Sequence, residues 1–157
     1  MKIAIGADHA GFALKDRIRQ HLEQKGFQVM DEGTRSADSV DYPDYARLVA
    51  HDVSQNRADL GILVCGSGIG MAMAANKVAG IRAANVSSEY QAQMSREHNN
   101  ANVLALGGRI LEEEAALRIV DRWLATPFAG GRHERRVEKM AAIERENRAS
   151  TAETKEG

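Results

Sequence analysis

The sequence lacks the features that would place the chain in a membrane, outside the cell or on a nucleic acid. It has a single cysteine, so the chain cannot form an internal disulfide, which is typical of proteins in a reducing compartment. No apolar run approaches the roughly 18 residues that a membrane-spanning helix needs. A net charge of -1 and an aromatic content of only 4% are not typical of nucleic-acid binding. We therefore expect a cytoplasmic protein without nucleic-acid or membrane partners.

Short apolar runs alternate with longer segments of helical period, which is the pattern of repeated βαβ units. The run from Leu60 to Val64 is apolar without alternation, as expected for a strand covered on both faces. We predict an α/β fold: a Rossmann-like, three-layer α/β/α domain over residues 1–146, with a five-stranded parallel sheet and an extra C-terminal helix. The polar residues 147–157 predict a disordered tail. Boundaries are expected for strands at about 2–6, 27–30, 59–65, 80–86 and 102–106, and for helices at 69–77 and 132–145.

Two loops that follow predicted strands contain residues capable of chemistry. They are Ala7-Asp8-His9-Ala10-Gly11 and Cys65-Gly66-Ser67-Gly68-Ile69-Gly70. Because ligands of parallel α/β sheets bind outside the carboxyl ends of the strands, both loops lie at the ligand edge. The glycines let backbone N–H groups turn toward an oxyanion or phosphate, although such turns also serve tight packing. The spacing is not a dinucleotide fingerprint, and the next strand ends without an acidic residue for a ribose, which argues against NAD.

Cys65 ends a strand at the start of a helix, where a thiolate is favoured and can act as a base or a nucleophile. A buried, inert thiol is the alternative. Ser67 could donate to an oxyanion or simply cap the helix. Asp8 and His9 offer a carboxylate and an imidazole at the same edge, with helix capping as the alternative for Asp8.

Other candidate residues lie farther along the chain. His98 and Asn99 follow a predicted helix, where local capping is the alternative to function. Arg132 and Arg136 are spaced i and i+4, so their guanidinium groups suit a phosphate dianion, or else belong to a solvated charged face. Neither C-x-x-C nor H-x-x-x-H occurs, and we predict no metal site.

Five segments in colinear order resemble the type B ribose-5-phosphate isomerases, whose wider family includes allose- and galactose-6-phosphate isomerases. They are Gly6-Ala7-Asp8-His9-Ala10-Gly11, Asp41-Tyr42-Pro43, Cys65-Gly66-Ser67-Gly68-Ile69-Gly70 with Ala74-Ala75-Asn76-Lys77, Arg96-Glu97-His98-Asn99, and Gly130-Gly131-Arg132-His133. The resemblance implies a cofactor-free aldose–ketose isomerase that interconverts ribose 5-phosphate and ribulose 5-phosphate. It also implies a homodimer, or a tetramer built from it, with active sites at the subunit interface.

The resemblance assigns roles by position. Cys65 matches the base that moves a proton between C1 and C2 through a cis-enediol(ate), and His98 matches the histidine that opens the furanose ring. Asp8 helps at the ring oxygen and Asn99 steadies the intermediate. The charged oxygen is held by Ser67 and by the amides of Gly66, Gly68, Ile69 and Gly70. Tyr42 lines the sugar pocket, and the phosphate side is matched by His9, Arg109, Arg132, His133 and Arg136.

Some members of the family use a glutamate as the base where this chain has Met71. Methionine cannot transfer a proton, so Cys65 remains the candidate base. Two other interpretations stay open: an isomerase that prefers a six-carbon sugar phosphate such as allose 6-phosphate or galactose 6-phosphate, and a noncatalytic sugar-phosphate-binding module.

Overall fold

A computed structural model describes residues 1–153, in which strands and helices follow one another in the predicted order. The strands are β1 (Lys2–Ala7), β2 (Gln28–Gly33), β3 (Leu60–Cys65), β4 (Ala83–Asn85) and β5 (Val103–Gly107). The helices are α1 (Phe12–Gln24), α2 (Tyr42–Ser54), α3 (Ile69–Ala75), α4 (Glu89–Glu97), α5 (Glu113–Ala125) and α6 (Arg132–Glu153). Each of these helices is too short or too polar to span a lipid bilayer.

The five strands form one parallel sheet in the order β2-β1-β3-β5-β4. Successive side chains of β3 alternate between two cores: Ile62 joins the core that contains Trp123 of α5, and Leu63 joins the core that contains Val49 of α2. Every residue of β3 is buried, as its unbroken apolar run predicts. The predicted three-layer α/β/α architecture with a parallel sheet is therefore confirmed.

β4 is shorter than the predicted strand over 80–86 because side-chain amides replace part of its ladder. The Asn102 side chain bonds the Arg82 N–H at 2.7 Å and the Gly80 carbonyl at 2.8 Å. The side chain of Asn76, the residue that caps the C-terminus of α3, bonds both the N–H and the carbonyl of Ala83, at 2.8 and 2.9 Å. The helix predicted over 69–77 consequently ends at Ala75.

The expected end of α6 near residue 145 is wrong, because the described helix includes residues 147–153 of the predicted tail. The helix continues to Glu153, although its last turns are exposed. Good helix formers such as Arg148 and Ala149 support this extension, since helix propensity does not require burial. Ser150 and Thr151 also donate to the Asn147 carbonyl, at 3.0 and 2.8 Å. Residues 154–157 of the predicted tail lie outside the described residues.

An ion pair between a buried lysine and a partly exposed aspartate joins α1 to the edge strand β2. The Lys15 side chain has 0% exposure, and its Nζ lies 2.7 Å from both carboxylate oxygens of Asp31. Asp31 Oδ1 also accepts the Gly33 N–H at 2.9 Å. The pair therefore fixes the carboxyl end of β2, from which the chain leads toward α2.

Candidate active site

The carboxyl ends of β1, β3 and β5 meet at one edge of the sheet, and their loops are bonded to one another there. The Gly108 N–H donates to the Cys65 carbonyl at 2.7 Å, and the Arg109 N–H donates to the Gly66 carbonyl at 3.0 Å. The Asp8 N–H donates to the Val64 carbonyl at 3.2 Å. We call this region the thiol edge; its candidate residues are Asp8, His9, Tyr42, Cys65 to Gly70, and Arg109.

Cys65 is the last residue of β3, and its side chain is only 5% exposed. Its Sγ accepts a hydrogen bond from the Gly68 N–H at 3.1 Å. A negatively charged sulfur accepts such a bond more strongly than a neutral thiol. The amide belongs to Gly68, the residue directly before α3.

The glycine loop has the conformation and the contacts that its sequence requires. Gly68 has a φ of +81°, which glycine adopts without the strain that a Cβ would cause. The ring of Tyr42 lies against Gly70, where an added Cβ would be 2.7 Å from Tyr42 Cζ. The Arg109 side chain passes over Gly66, 3.5 Å from the position of an added Cβ. Tyr42 and Arg109 thus both lie over the loop that holds Cys65.

Asp8 and Ser67 make local hydrogen bonds that order their loops. Asp8 Oδ1 accepts the N–H groups of Ala10 and Gly11 at 2.9 and 3.0 Å, so the carboxylate stabilises the turn before α1. Ser67 Oγ accepts the Ile69 N–H at 3.3 Å, which leaves the hydroxyl proton free to donate. These hydrogen bonds within the loops leave Asp8 and Ser67 able to contact a substrate as well.

His9 joins two loops of the thiol edge. Its Nδ1 accepts the Val40 N–H at 3.2 Å, and Val40 belongs to the connection between β2 and α2. A neutral ring that accepts at Nδ1 carries its proton on Nε2. His9 can therefore present an N–H donor to an anionic group.

A second cluster of candidate residues forms where α4 ends and α6 begins. The rings of His98 and His133 stack with centroids 4.2 Å apart and planes 7° apart. The Ala129 N–H donates to the Glu97 carbonyl at 3.0 Å, which attaches the start of α6 to the end of α4. We call this the imidazole cluster; it consists of His98, Asn99, Arg132, His133 and Arg136.

The electrostatics of the imidazole cluster disfavour a charged ring at His133. Burial lowers the pKa of His133 below its ordinary value, and neighbouring positive charges lower it further. Those charges are on His98, Arg132 and Arg136, while Glu97 acts weakly in the opposite direction. The His98 side chain keeps 37% exposure and so remains accessible.

The two groups of residues lie at opposite edges of the sheet within one chain. The Gly61 N–H, near the start of β3, donates to the carbonyl of Asn102. Because Asn102 follows His98 closely in the chain, this bond places His98 near the amino end of β3. Cys65 lies four residues farther along β3, and a strand rises about 3.3 Å per residue, so the two edges are roughly 13 Å apart. The structure thus places Asp8, His9, Tyr42 and Arg109 in the loops at the same end of the sheet as Cys65, but it does not bring His98 to them.

A groove of about 1360 Å³ separates α6 from α2 and from the chain before β4. Its lining includes Asn99 of the imidazole cluster, Arg47 and His51 of α2, and Met140 and Ile143 of α6. Cys65 does not contribute to it. Met140 and Ile143 are 41% and 59% exposed, which leaves an apolar surface uncovered on the single chain.

Sequence reasoning missed Asn85, which ends β4 at the thiol edge. Its Nδ2 donates to the Ser67 carbonyl at 3.3 Å and to the Ala105 carbonyl at 3.2 Å. Its position at the carboxyl end of a parallel strand is the signal that could have identified it. Among residues 1–153, no three His, Cys, Asp or Glu side chains converge as a metal site would require.

The sequence model of the Ribose/Galactose Isomerase family matches residues 3–140 of the chain. Ribose-5-phosphate isomerase B of Escherichia coli is 52% identical over 143 residues, which cover 91% of this chain and 96% of that protein. The ribose-5-phosphate isomerase B structure from Clostridium thermocellum superposes with a TM-score of 0.93 at 51% identity, covering 94% of this chain and 99% of that one. The Mycoplasma genitalium enzyme with bound ribulose-5-phosphate superposes with a TM-score of 0.90 at 48% identity, covering 92% and 97% of the two chains.

Proposed function

The chain belongs to the ribose/galactose isomerase family, and we propose that it interconverts ribose 5-phosphate and ribulose 5-phosphate. It is an isomerase, and this reaction moves a proton between two adjacent carbons. It therefore needs a base, donors for a negative oxygen and an anchor for the phosphate. The observation that carries the proposal is the Cys65 sulfur, 3.1 Å from the Gly68 amide in a loop of glycines.

Cys65 is the proposed base. As a thiolate it takes the proton from C2 of the open-chain aldose, the C–H electron pair forms a C1–C2 double bond, and the C1 oxygen becomes the charged oxygen of a cis-enediolate. The thiol then returns the proton to C1, and the O2 proton moves to O1, which leaves the ketone at C2. A well-placed base contributes about 10²–10⁴-fold to the rate of such a step.

The glycine loop is the proposed site for the charged oxygen. Preorganised donors of this kind contribute roughly 10²–10³-fold each, because they are already aligned when the charge develops. The proposed donors are the Ser67 hydroxyl and the amides of Gly66 and Gly70, because the Gly68 N–H is bonded to Cys65 Sγ and the Ile69 N–H to Ser67 Oγ. This reaction, as proposed, needs no cofactor and no metal ion.

We further propose that each complete site needs two copies of the chain. The thiol edge of one subunit and the imidazole cluster of the other would then form one pocket in a homodimer. Two observations support this arrangement: the two groups lie at opposite edges of one chain, and the groove beside Asn99 leaves Met140 and Ile143 exposed. Closed two-fold dimers bury the same surface of both subunits, and such a dimer would cover this apolar groove on each of them.

The imidazole cluster provides ring opening and part of the phosphate anchor in this proposal. His98 opens the furanose ring, Asp8 of the thiol edge assists at the ring oxygen, and Asn99 steadies the intermediate. Tyr42 lines the sugar pocket. The phosphate is bound by His9, Arg109, Arg132, His133 and Arg136. Because the phosphate lies far from the reacting carbons, these contacts position the sugar rather than alter its bonds.

The test is a coupled assay of ribose 5-phosphate isomerisation in the presence of a chelator, with the parent chain and Cys65→Ala. We expect turnover in the parent and its loss in Cys65→Ala, with an unchanged circular dichroism spectrum. Ser95→Ala, which removes another buried polar hydrogen bond from α4, is the control and should keep its activity. Undiminished turnover in Cys65→Ala would exclude the assigned base.

The preferred sugar length is tested by the same assay. We expect a higher kcat/KM for ribose 5-phosphate than for allose 6-phosphate or galactose 6-phosphate. The reverse order would identify an isomerase of six-carbon substrates. Tight ligand binding without exchange of the C2 proton into solvent would instead identify a binding module.

A further inference from the structure

The side chain of Asn85 is bonded to the turn that carries the proposed base. Its Nδ2 donates both to the Ser67 carbonyl, at 3.3 Å, and to the Ala105 carbonyl at the end of β5, at 3.2 Å. The amide therefore ties the glycine loop to the edge of the sheet. It also occupies the space that Gly68 leaves open, since a Cβ on Gly68 would lie 2.2 Å from Asn85 Nδ2.

The carbonyl that Asn85 binds and the amide that binds the sulfur belong to one peptide group. The C=O of Ser67 accepts from Asn85, and the N–H of Gly68 across the same peptide bond donates to Cys65 Sγ at 3.1 Å. Donation to a carbonyl polarises the peptide and makes its N–H a stronger donor. The three groups thus form a continuous chain of hydrogen bonds from Asn85 to the sulfur.

We propose that Asn85 is a positioning residue for Cys65, which acts through the peptide between Ser67 and Gly68. It holds that peptide with its N–H directed at the sulfur and strengthens the bond that the thiolate accepts. Loss of the Asn85 amide therefore lowers the fraction of Cys65 that is ionised at a given pH. The kinetic consequence depends on the proposed function, because it requires Cys65 to be the base.

A purely structural role makes a different prediction. If Asn85 only satisfied two carbonyl groups at the end of a strand, its loss would lower stability without changing the ionisation of the sulfur. The ionisation of Cys65 can be followed directly, because the chain has one cysteine and a thiolate absorbs near 240 nm. Cys65→Ser supplies the blank for this absorbance titration.

The experiment compares the parent with Asn85→Ala, Asn85→Leu and Ser88→Ala. The leucine keeps a bulky side chain without a donor, so it separates the hydrogen bond from the filled space. Ser88→Ala is the matched control, because it removes a different hydrogen bond, the one from the Gln91 N–H at the start of α4. Circular dichroism at each pH confines the titration to folded protein.

In both Asn85 variants we expect the titration midpoint to move up by about 0.5 pH unit, which is roughly a threefold drop in thiolate fraction on the acid side. The acid limb of kcat/KM should move with it, while KM stays near that of the parent and Ser88→Ala shows neither change. Midpoints of both Asn85 variants equal to that of the parent would overturn the proposal. If Cys65→Ala stayed active, the proposed base would fail, but the absorbance titration would still decide the role of Asn85.

Discussion

The imidazole rings of His98 and His133 stack face to face, 4.2 Å apart. Two protonated rings would repel each other at this distance, and the arginines in the first turns of α6 add to the positive charge. Burial first, and this repulsion second, lower the pKa of His133 in the folded chain, which therefore favours the neutral ring. A neutral ring can donate through one nitrogen and accept through the other.

The lowered pKa of His133 makes stability depend on pH with a definite sign. Because the pKa of His133 is lowered in the folded chain, the unfolded chain binds more protons as the pH falls through the ordinary histidine range, and the free energy of unfolding decreases there. The groups that face the ring are His98, Arg132, Arg136 and Glu97. In His133→Asn this loss between about pH 7 and pH 5 should be smaller, as measured by urea unfolding at each pH. Parallel stability curves for the parent and the variant would contradict the assigned sign.

Ring opening by His98 predicts a dependence on the form of the substrate. His98→Asn should lose about 10²–10⁴-fold in kcat/KM on cyclic ribose 5-phosphate and much less on an aldose phosphate that cannot cyclise. His21→Asn is the matched control, since His21 bonds Asp121 on the remote α1–α5 surface. Equal losses on both substrates in His98→Asn would argue against ring opening.

The arginines of α6 should affect binding more than chemistry. Arg132→Ala and Arg136→Ala are each expected to raise KM for the sugar phosphate by about 10- to 100-fold, since each loses a charge-assisted hydrogen bond, while kcat changes little. Arg135→Ala removes the same charge from the same helix and should resemble the parent. A fall in kcat at unchanged KM would instead mean that these arginines act only in the transition state.

Shared sites predict complementation between inactive variants. When Cys65→Ala and His98→Asn subunits are mixed and allowed to exchange, half of the dimers should combine one of each. Each such dimer contains one intact site, so about a quarter of the parent activity should return. A mixture of Cys65→Ala and Cys65→Ser should stay inactive, because both changes affect the thiol edge. A monomer by light scattering, or no recovery after exchange, would contradict the shared site.

The ion pairs between α1 and α5 should contribute to stability only above acid pH. Although burial opposes it, bonds from Lys25 and His21 lower the pKa of Asp121, so its contribution is present above the ordinary aspartate range and is lost as the pH falls through the lowered pKa. At pH 7, Asp121→Asn should lower the free energy of unfolding by about 0.5–1 kcal/mol, a surface value because the carboxylate is partly exposed. The difference from the parent should shrink in urea titrations as the pH falls below the ordinary aspartate range, and it should vanish once the pH is below the lowered pKa of Asp121. Asp38→Asn, in the exposed connection before α2, should show no such loss.

Much of the fold could be predicted, because the spacing of apolar residues and the alternation of strands and helices along the chain determine the fold class. The buried run of β3 was sufficient to predict the centre of the sheet. The length of β4 could not be predicted, because Asn76 and Asn102 use side-chain amides where a ladder was expected. The length of α6 could not be predicted from the apolar pattern, because residues 147–153 have almost no apolar side chains, although Arg148 and Ala149 favour helix.

The candidate site was only partly predictable for a related reason. A strand-end thiol beside glycines can be recognised from sequence, as Cys65 was. The stack of His98 on His133 depends on how α5 returns the chain to the end of α4, and no local pattern encodes that contact. Asn85 carries no charge and ends a strand of only three residues, so its contact with Ser67 emerged only in three dimensions.

The buried side-chain amine of Lys15 can serve as a probe of local unfolding. Reagents that acylate lysine need solvent access, and this side chain has none while α1 stays on β2. Its acylation rate should therefore depend on how often local unfolding separates α1 from β2, whereas exposed lysines should react without any unfolding. Mass spectrometry of partially acylated protein would give the acylation rate of Lys15, and that rate would report how often the structure beside β2 unfolds locally.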